Sequence, residues 1–586
     1  MTPNEAMATT AGAVNDNAVP DSAANEKKEH LMAHSTPADI CIVSGRVFDG
    51  RMRTALTAVA ITGDRITAVG TDAQIRALAG EQTRIVDAAG GAILPGFVDA
   101  HIHAAFAGVE RLSCDLTHAR TVDETLAMIA TAATTTEAEW ITGGGWSHEL
   151  FPNPTRHMLD AIVPDRPVAL SDAGHHTLWV NSLALQLAGV DRDTPAPPNG
   201  HIHRDDRGEP TGYLNETAAE LVGRVVPPAT DAEMTAGLLN AQEFLWTLGV
   251  TGWHEAILGE YNGKADCSDA YRSAIHDGTL RSIASGALWV PPGTTAAEVP
   301  ALVERFVALR AENAAVGFDT STAKAMVDGV PHGETAALLE PYCSHAGSGD
   351  LHIDAESLTA LVVALDAAGF AMHLHIMGDR GVRAGLDAVE AARLINGPGQ
   401  RHHFAHLSMV DPSDARRFGP LGITANIQGL WASIDEAVVP MIGEERMQRG
   451  YPFRDIADSG ADIAMGSDWP VSPADPWLAI HVVVNRSLPG LHGPSEPLDS
   501  AQALSLTEAL SAYTRGSAEL VLGGRGGRIG VGCRADIVVS TLDPFEIPVE
   551  RLIEVGTATT IVAGQLVYER PAAPPPGPER LDYSNE

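Results

Sequence analysis

Residues 92–103 read AILPGFVDAHIH. The run is apolar through Phe97 and Val98 and ends on two histidines one residue apart, His101 and His103. An apolar run of this length beside Gly and Pro reads as a buried strand, and strand side chains two apart share a face. The two imidazoles then stand about 6–7 Å apart, within reach of one ion or two neighbouring ions. Two histidines alone do not make a metal site. A second pair, His201 and His203, lies in GHIHRDDRGEP, a polar setting that predicts a loop away from any site. The distinction rests on whether further ligands stand at matching places elsewhere.

Beyond His103 seven more stretches have strand character: GVTGWHEA (249–256), LRSIASGALWV (280–290), STAKAMVDG (321–329), AMHLHIMG (371–378), HHFAHL (402–407), GITANIQ (422–428) and ADIAMGSD (461–468). Helical segments such as ESLTALVVALDAAG separate them. Eight strands in such alternation predict an α/β protein, a (β/α)8 TIM barrel over residues 93–515. Residues from about 110 to 235 are too many for one connection and predict an inserted subdomain after the first strand. Short strands with Gly and Asp turns occupy 38–92 and 516–570. Together they predict a small β-sandwich built from both chain ends. Residues 1–37 and 571–586 have the composition of disordered or flexible tails.

Barrel enzymes carry their chemistry at the C-terminal ends of the strands. Ionisable residues do stand there: Lys324 in strand four, His375 in strand five, His406 in strand six and Asp468 in strand eight. Each has an ordinary alternative. A Gly-Ser-Asp turn commonly caps a helix, and a lysine can be partly exposed, although strands buried on both faces seldom carry one. His373 sits one step earlier than His375, and His402 and His403 open strand six at its other end, so these three stay outside the set. Asp328 is expected near the barrel mouth and Asp379 at the start of the following helix, neither with a catalytic role.

The bulk composition narrows the classes. The 586 residues are 45% hydrophobic, ample for a large core. With 39 Lys and Arg against 75 Asp and Glu the net charge is −36, which disfavours nucleic acid and anionic membranes as partners. Five scattered cysteines without a CxxC read as reduced thiols. The N-terminal stretch lacks a basic start followed by an apolar segment, and no apolar run reaches about 18 residues, so a cytoplasmic location is expected.

The motifs taken in order resemble the amidohydrolase superfamily, and within it the YtcJ-like branch that includes N-substituted formamide deformylase. They are PGFVDAHIH, WITGGGW (140–146), AGHHTLWVNSLALQLAG (173–189), GEPTGYLNETA (208–218), AKAMVDGVP (323–331), HIMGDRGV (375–382), HFAHLS (403–408) and GSDWPV, with GCRADIVV marking the return to the sandwich. The likeness spans about residues 38–570. The family generally has Lys after the Gly of that last motif; Cys533 stands there, outside the barrel.

The resemblance implies a metal-dependent hydrolase of non-peptide C–N bonds acting on a small amide or N-substituted formamide. It implies one or two Zn2+ ions, with His101 and His103 on one, His375 and His406 on the other, and a carboxylated Lys324 as bridge. Asp468 would bind the first ion, hold the attacking water, and serve as base and then acid. His175, Trp146 and Trp469 would contact substrate, Trp431 would help wall an apolar pocket, and a homodimer is expected by family analogy. N-acyl amino acid or cyclic amide hydrolysis, deamination, and a non-catalytic metal-binding regulator stand as alternatives. VLGGRGGRIGVG lacks the GK[ST] ending of a phosphate-binding loop.

Overall fold

The computed structural model describes residues 37–148, 150–197, 200–261, 264–489 and 497–571. The expected N-terminal disordered tail, save residue 37, and the C-terminal tail, save residue 571, lie outside the described residues.

Apolar runs buried on both faces build one parallel sheet of eight strands in chain order. We number them β1 (Phe97–Ile102), β2 (Val250–Leu258), β3 (Ile283–Trp289), β4 (Asp319–Met326), β5 (Ala371–Ile376), β6 (His403–His406), β7 (Thr424–Ile427) and β8 (Ile463–Met465). This is the expected (β/α)8 TIM-barrel architecture. Among the described residues no ladder joins β8 to β1; the seam is closed by single contacts. The Asp468 N–H donates to the His101 carbonyl (2.7 Å), and the Ser467 N–H donates to both carboxylate oxygens of Asp99 (3.0 and 3.1 Å). Gly466 permits this approach, because a Cβ there would stand 2.4 Å from the His101 nitrogen.

Between β1 and β2 the chain leaves the barrel. Helix α1 (Ala104–Leu112) and helix α2 (Asp231–Thr247) flank the departure and pack on each other. They meet at Gly108 and Gly237, where a Cβ on Gly108 would come within 1.8 Å of the Gly237 carbonyl. Thr230 and Glu233 form a capping box that starts α2. The insert is a six-stranded mixed sheet running from Cys114–Asp115 to Pro210–Glu216, with apolar side chains buried on both faces. His201 and His203 lie on one of its strands, Gly200–Arg204, not in the expected loop; the His203 ring stacks on Tyr213 at 4.1 Å.

The chain ends form two sheets that enclose one core of Ile40, Ile61, Ile93, Ile537 and Ile561. Ala92–Pro95 belongs to the sandwich, since Ile93 pairs with Val539 and Pro95 with Ile537; the chain therefore enters the barrel at Phe97. The barrel's helical layer continues past residue 515, because Ala518 and Val521 pack on Val98 and Ala464. The five cysteines are unpaired, and no helix among the described residues is long and apolar enough to cross a membrane.

His402, at the N-terminal entry to β6, is fully buried, with Nδ1 accepting from the Met372 N–H (3.0 Å) and Nε2 3.1 Å from Asp366. Burial pushes its pKa down to about 4. A folded pKa below the unfolded value of about 6.5 gives stability that is complete above 6.5 and lost as pH falls toward 4. The stability gap between wild type and His402→Gln should therefore narrow by up to about 2 kcal/mol from pH 7 to pH 5. Guanidinium melts at both pH values measure it, and a gap that stays constant would assign His402 no such contribution.

Candidate metal centre

Four barrel strands, β1, β4, β5 and β6, and the loop after β8 deliver the residues singled out by sequence to one place. His101 Nε2 lies 3.4 Å from Asp468 Oδ1 and 3.4 Å from Lys324 Nζ. His103 Nε2 lies 3.2 Å from the same Asp468 oxygen, and Asp468 Oδ2 is 4.0 Å from His406 Nδ1. The His375 and His406 rings are 4.5 Å apart. Asp468 caps no helix. It turns back into the barrel at φ 58°, and His406 is held at φ 74°, two left-handed conformations of the kind that persist where surrounding contacts over-determine them.

The donor set fits a divalent cation. His101, His103 and Asp468 offer three ligand atoms within 4.8 Å of one another. Among the described residues both ring nitrogens of His406, Nδ1 of His375 and Oδ1 of Asp468 are buried without a hydrogen-bond partner. Orphaned buried polar atoms are costly, and imidazole nitrogens with a carboxylate oxygen are the donors zinc and related ions take. Burial drives the histidine pKa values down, well below the ordinary value for His101 and His406 and to about 3 for His375, which leaves nitrogen lone pairs free. Burial also lowers Lys324 to about 7. Its amine is thus partly neutral near neutral pH, the form that reacts with CO2.

Sequence reasoning missed the groups that hold these donors in place. Asp99 accepts from the backbone of His101 (3.1 Å) and of Ser467, tying β1 to the Asp468 loop; burial raises its pKa to about 7. Glu255 at the end of β2 accepts from the Tyr271 hydroxyl (2.7 Å) and stands 3.8 Å from His103 Nδ1, with its pKa raised to about 8 by burial. Asp328 does not reach the mouth. It is fully buried, accepts from the amides of Ala337, Met377 and Gly378, and stands 3.8 Å from His375 Nδ1. The signal for Asp99 and Glu255 was present: each is an acid inside an apolar strand, and each lies within two residues of a histidine.

Above the donors opens a cavity of about 2750 Å³, lined by His103, Glu110, His175, Lys324, Trp431 and Asp468 among others. His175, at φ 60°, stands 3.7 Å from Glu110; burial lowers the first to about 3 and raises the second to about 7. Trp431 stacks on the His406 ring at 5.0 Å. Trp146 and Trp469 are both packed away from the cavity. Trp146 is 1% exposed in the insert core, donates to the Leu170 carbonyl (2.9 Å) and packs on Trp179. Trp469 turns its ring against Phe244 of α2 at 5.1 Å, and neither indole lines the cavity.

Comparison with known proteins follows the same line. The profile of the amidohydrolase family matches residues 84–568. The Bacillus subtilis protein named as amidohydrolase YtcJ is 31% identical, covering 83% of this chain and 91% of its own. The N-substituted formamide deformylase of Arthrobacter pascens is 29% identical, covering 91% and 98%. A crystal structure of an uncharacterized metal-dependent hydrolase from Pyrococcus furiosus superposes with a TM-score of 0.65 at 24% identity, covering 85% of this chain and 97% of that one, a likeness of fold.

Proposed function

Because this chain belongs to the amidohydrolase family, we propose that it is a zinc-dependent hydrolase of a non-peptide C–N bond, in a small amide or N-substituted formamide. The convergence of His101, His103, Lys324, His375, His406 and Asp468 beneath one cavity is the observation that carries this reading. His101, His103 and Asp468 would hold one ion, and His375 and His406 a second. When bound, such ions lower the pKa of water from 15.7 toward about 7 and polarise a carbonyl.

The remaining work falls to the chain. Lys324, partly neutral near pH 7, would add its nitrogen to CO2 and release a proton to water, giving an anionic carbamate that could join the histidines in holding the ions. Asp468 takes the proton from the attacking water and returns it to the departing nitrogen. Glu255 and Asp328 stand 3.8 Å from Nδ1 of His103 and of His375, placed to orient those rings as carboxylates do around metal-binding imidazoles. Trp431 gives the cavity an apolar wall beside His406, and His175 with Glu110 forms a polar wall for the substrate.

The test is a hydrolysis screen of zinc-loaded and chelator-treated enzyme on N-substituted formamides, other amides, N-acyl amino acids, lactams and amino-heterocycles. Turnover of one amide class that vanishes with chelator and returns with zinc is the expected result. Turnover that survives complete metal removal would sink the reading.

A further inference from the structure

Beneath the candidate centre lies a layer of three more buried histidines with no place in the mechanism above. His254, His373 and His403 are at most 1% exposed, and one nitrogen of each lies within 4.8 Å of the others. They connect upward through His373 Nε2. His373 Nε2 is 3.1 Å from His101 Nδ1.

Proton positions in this layer are coupled. His101 presents Nε2 to Asp468 and Lys324, so a cation there needs that nitrogen bare and the ring proton on Nδ1. That proton requires an acceptor, and His373 Nε2 is in place to be one. Lys324 Nζ, at 3.3 Å, is a second donor aimed at the same nitrogen. His373 must then carry its own proton on Nδ1, which has no hydrogen-bond partner among the described residues. His254 Nε2 is likewise unpartnered, while His254 Nδ1 stands 2.8 Å from the Ser285 hydroxyl. A proton on His254 Nδ1 donated to Ser285 leaves Nε2 bare on a ring whose centroid lies 5.5 Å from that of His373. Asn426 donates to His403 Nδ1 at 3.2 Å, so His403 carries its proton on Nε2 and competes for no donor.

A metal held by the three lower histidines would reverse this order. It would bare His373 Nδ1, move that ring's proton to Nε2, and force the His101 proton onto the nitrogen facing Asp468. The lower group also contains no carboxylate, and a buried divalent charge without an anion is strongly disfavoured. The upper group has Asp468.

We propose that His373 is a positioning residue for the metal centre, fixing the ring orientation and tautomer of His101 from below. This rests on the reading of His101 as a metal ligand.

Zinc affinity, by competition with a chromophoric chelator, is measured on purified His373→Leu, His373→Gln and His101→Ala. His373→Leu fills the space without an acceptor and should bind zinc about 10–100-fold more weakly. His373→Gln, whose side-chain oxygen reaches the Nε2 position, should restore affinity to within a few-fold, a rescue that simple packing would not produce. KM of the metal-saturated variants should stay near wild type. Wild-type affinity in His373→Leu, beside lost affinity in His101→Ala, would overturn the proposal alone; unchanged affinity in His101→Ala would overturn the metal-centre reading beneath it. Loss of a whole zinc equivalent in His254→Leu and in His403→Leu would also overturn it, by showing the lower group to be a metal site. If His373→Leu does not fold, His373→Met, which likewise offers no comparable acceptor, replaces it. A several-fold weakening there supports the proposal, and none overturns it.

Discussion

Asp468→Asn should bind metal nearly as well as the wild type and lose about 10³-fold or more in kcat, the scale of a missing general acid–base group. The substitution keeps the shape of the side chain and one oxygen directed at His101 and His103, whose nitrogens stand 3.4 and 3.2 Å from Asp468 Oδ1. The backbone contacts that place residue 468, its own N–H to the His101 carbonyl and Ser467 to Asp99, are untouched. What is lost is a group able to take and return a proton. Metal content and turnover are read on the same preparation. Near-normal turnover would remove Asp468 from the proton path, and loss of metal in step with activity would make it a ligand only.

Lys324→Ala should fail to retain metal and fall by about 10³-fold or more in turnover, as expected when the Lewis acid is lost. Lys324 is 2% exposed, and among the described residues no carboxylate lies within ion-pair distance of it. A permanently charged ammonium there would repel the cations the histidines attract, so the lysine makes sense in the site only once its charge is reversed. The decisive comparison uses bicarbonate. Wild type reconstituted in CO2-depleted buffer should take up less zinc than in bicarbonate, and Lys324→Ala should show no difference. Zinc uptake by the wild type that ignores bicarbonate would leave the lysine uncarboxylated and the bridge without a basis.

The barrel and its donors were legible because both follow from one-dimensional rules. Apolar runs between helical segments give the strands, and a polar residue at the C-terminal end of a buried strand has few places to go but the barrel mouth. Asp99, Glu255 and Asp328 were not legible in the same way. Each is wholly buried, and the backbone amides and side chains beside it come largely from segments distant in sequence. His373 was set aside for lying one step deeper than His375, and that depth is what puts it against His101. Trp146 and Trp469 failed for another reason. Trp146 ends a strand of a sheet buried on both faces, and Trp469 follows the Asp468 turn, so their ring directions depend on packing against Trp179 and Phe244 that no local pattern encodes. The polar composition of GHIHRDDRGEP similarly hid a strand that pairs within the insert.

The sandwich sheet bears on how the protein is made. Ile93 and Pro95 pair with Val539 and Ile537, partners separated by more than four hundred residues of sequence. At a synthesis rate of about 5–20 residues per second, the N-terminal strand waits roughly 20–90 s on the ribosome before its partner exists. During that interval Ala92–Pro95, an apolar strand, has an open edge, the condition under which strands pair with the wrong neighbour. The short Arg46–Val47 strand covers its other side from the start. A message truncated anywhere in the barrel would leave that edge without its Ile537–Ser540 partner.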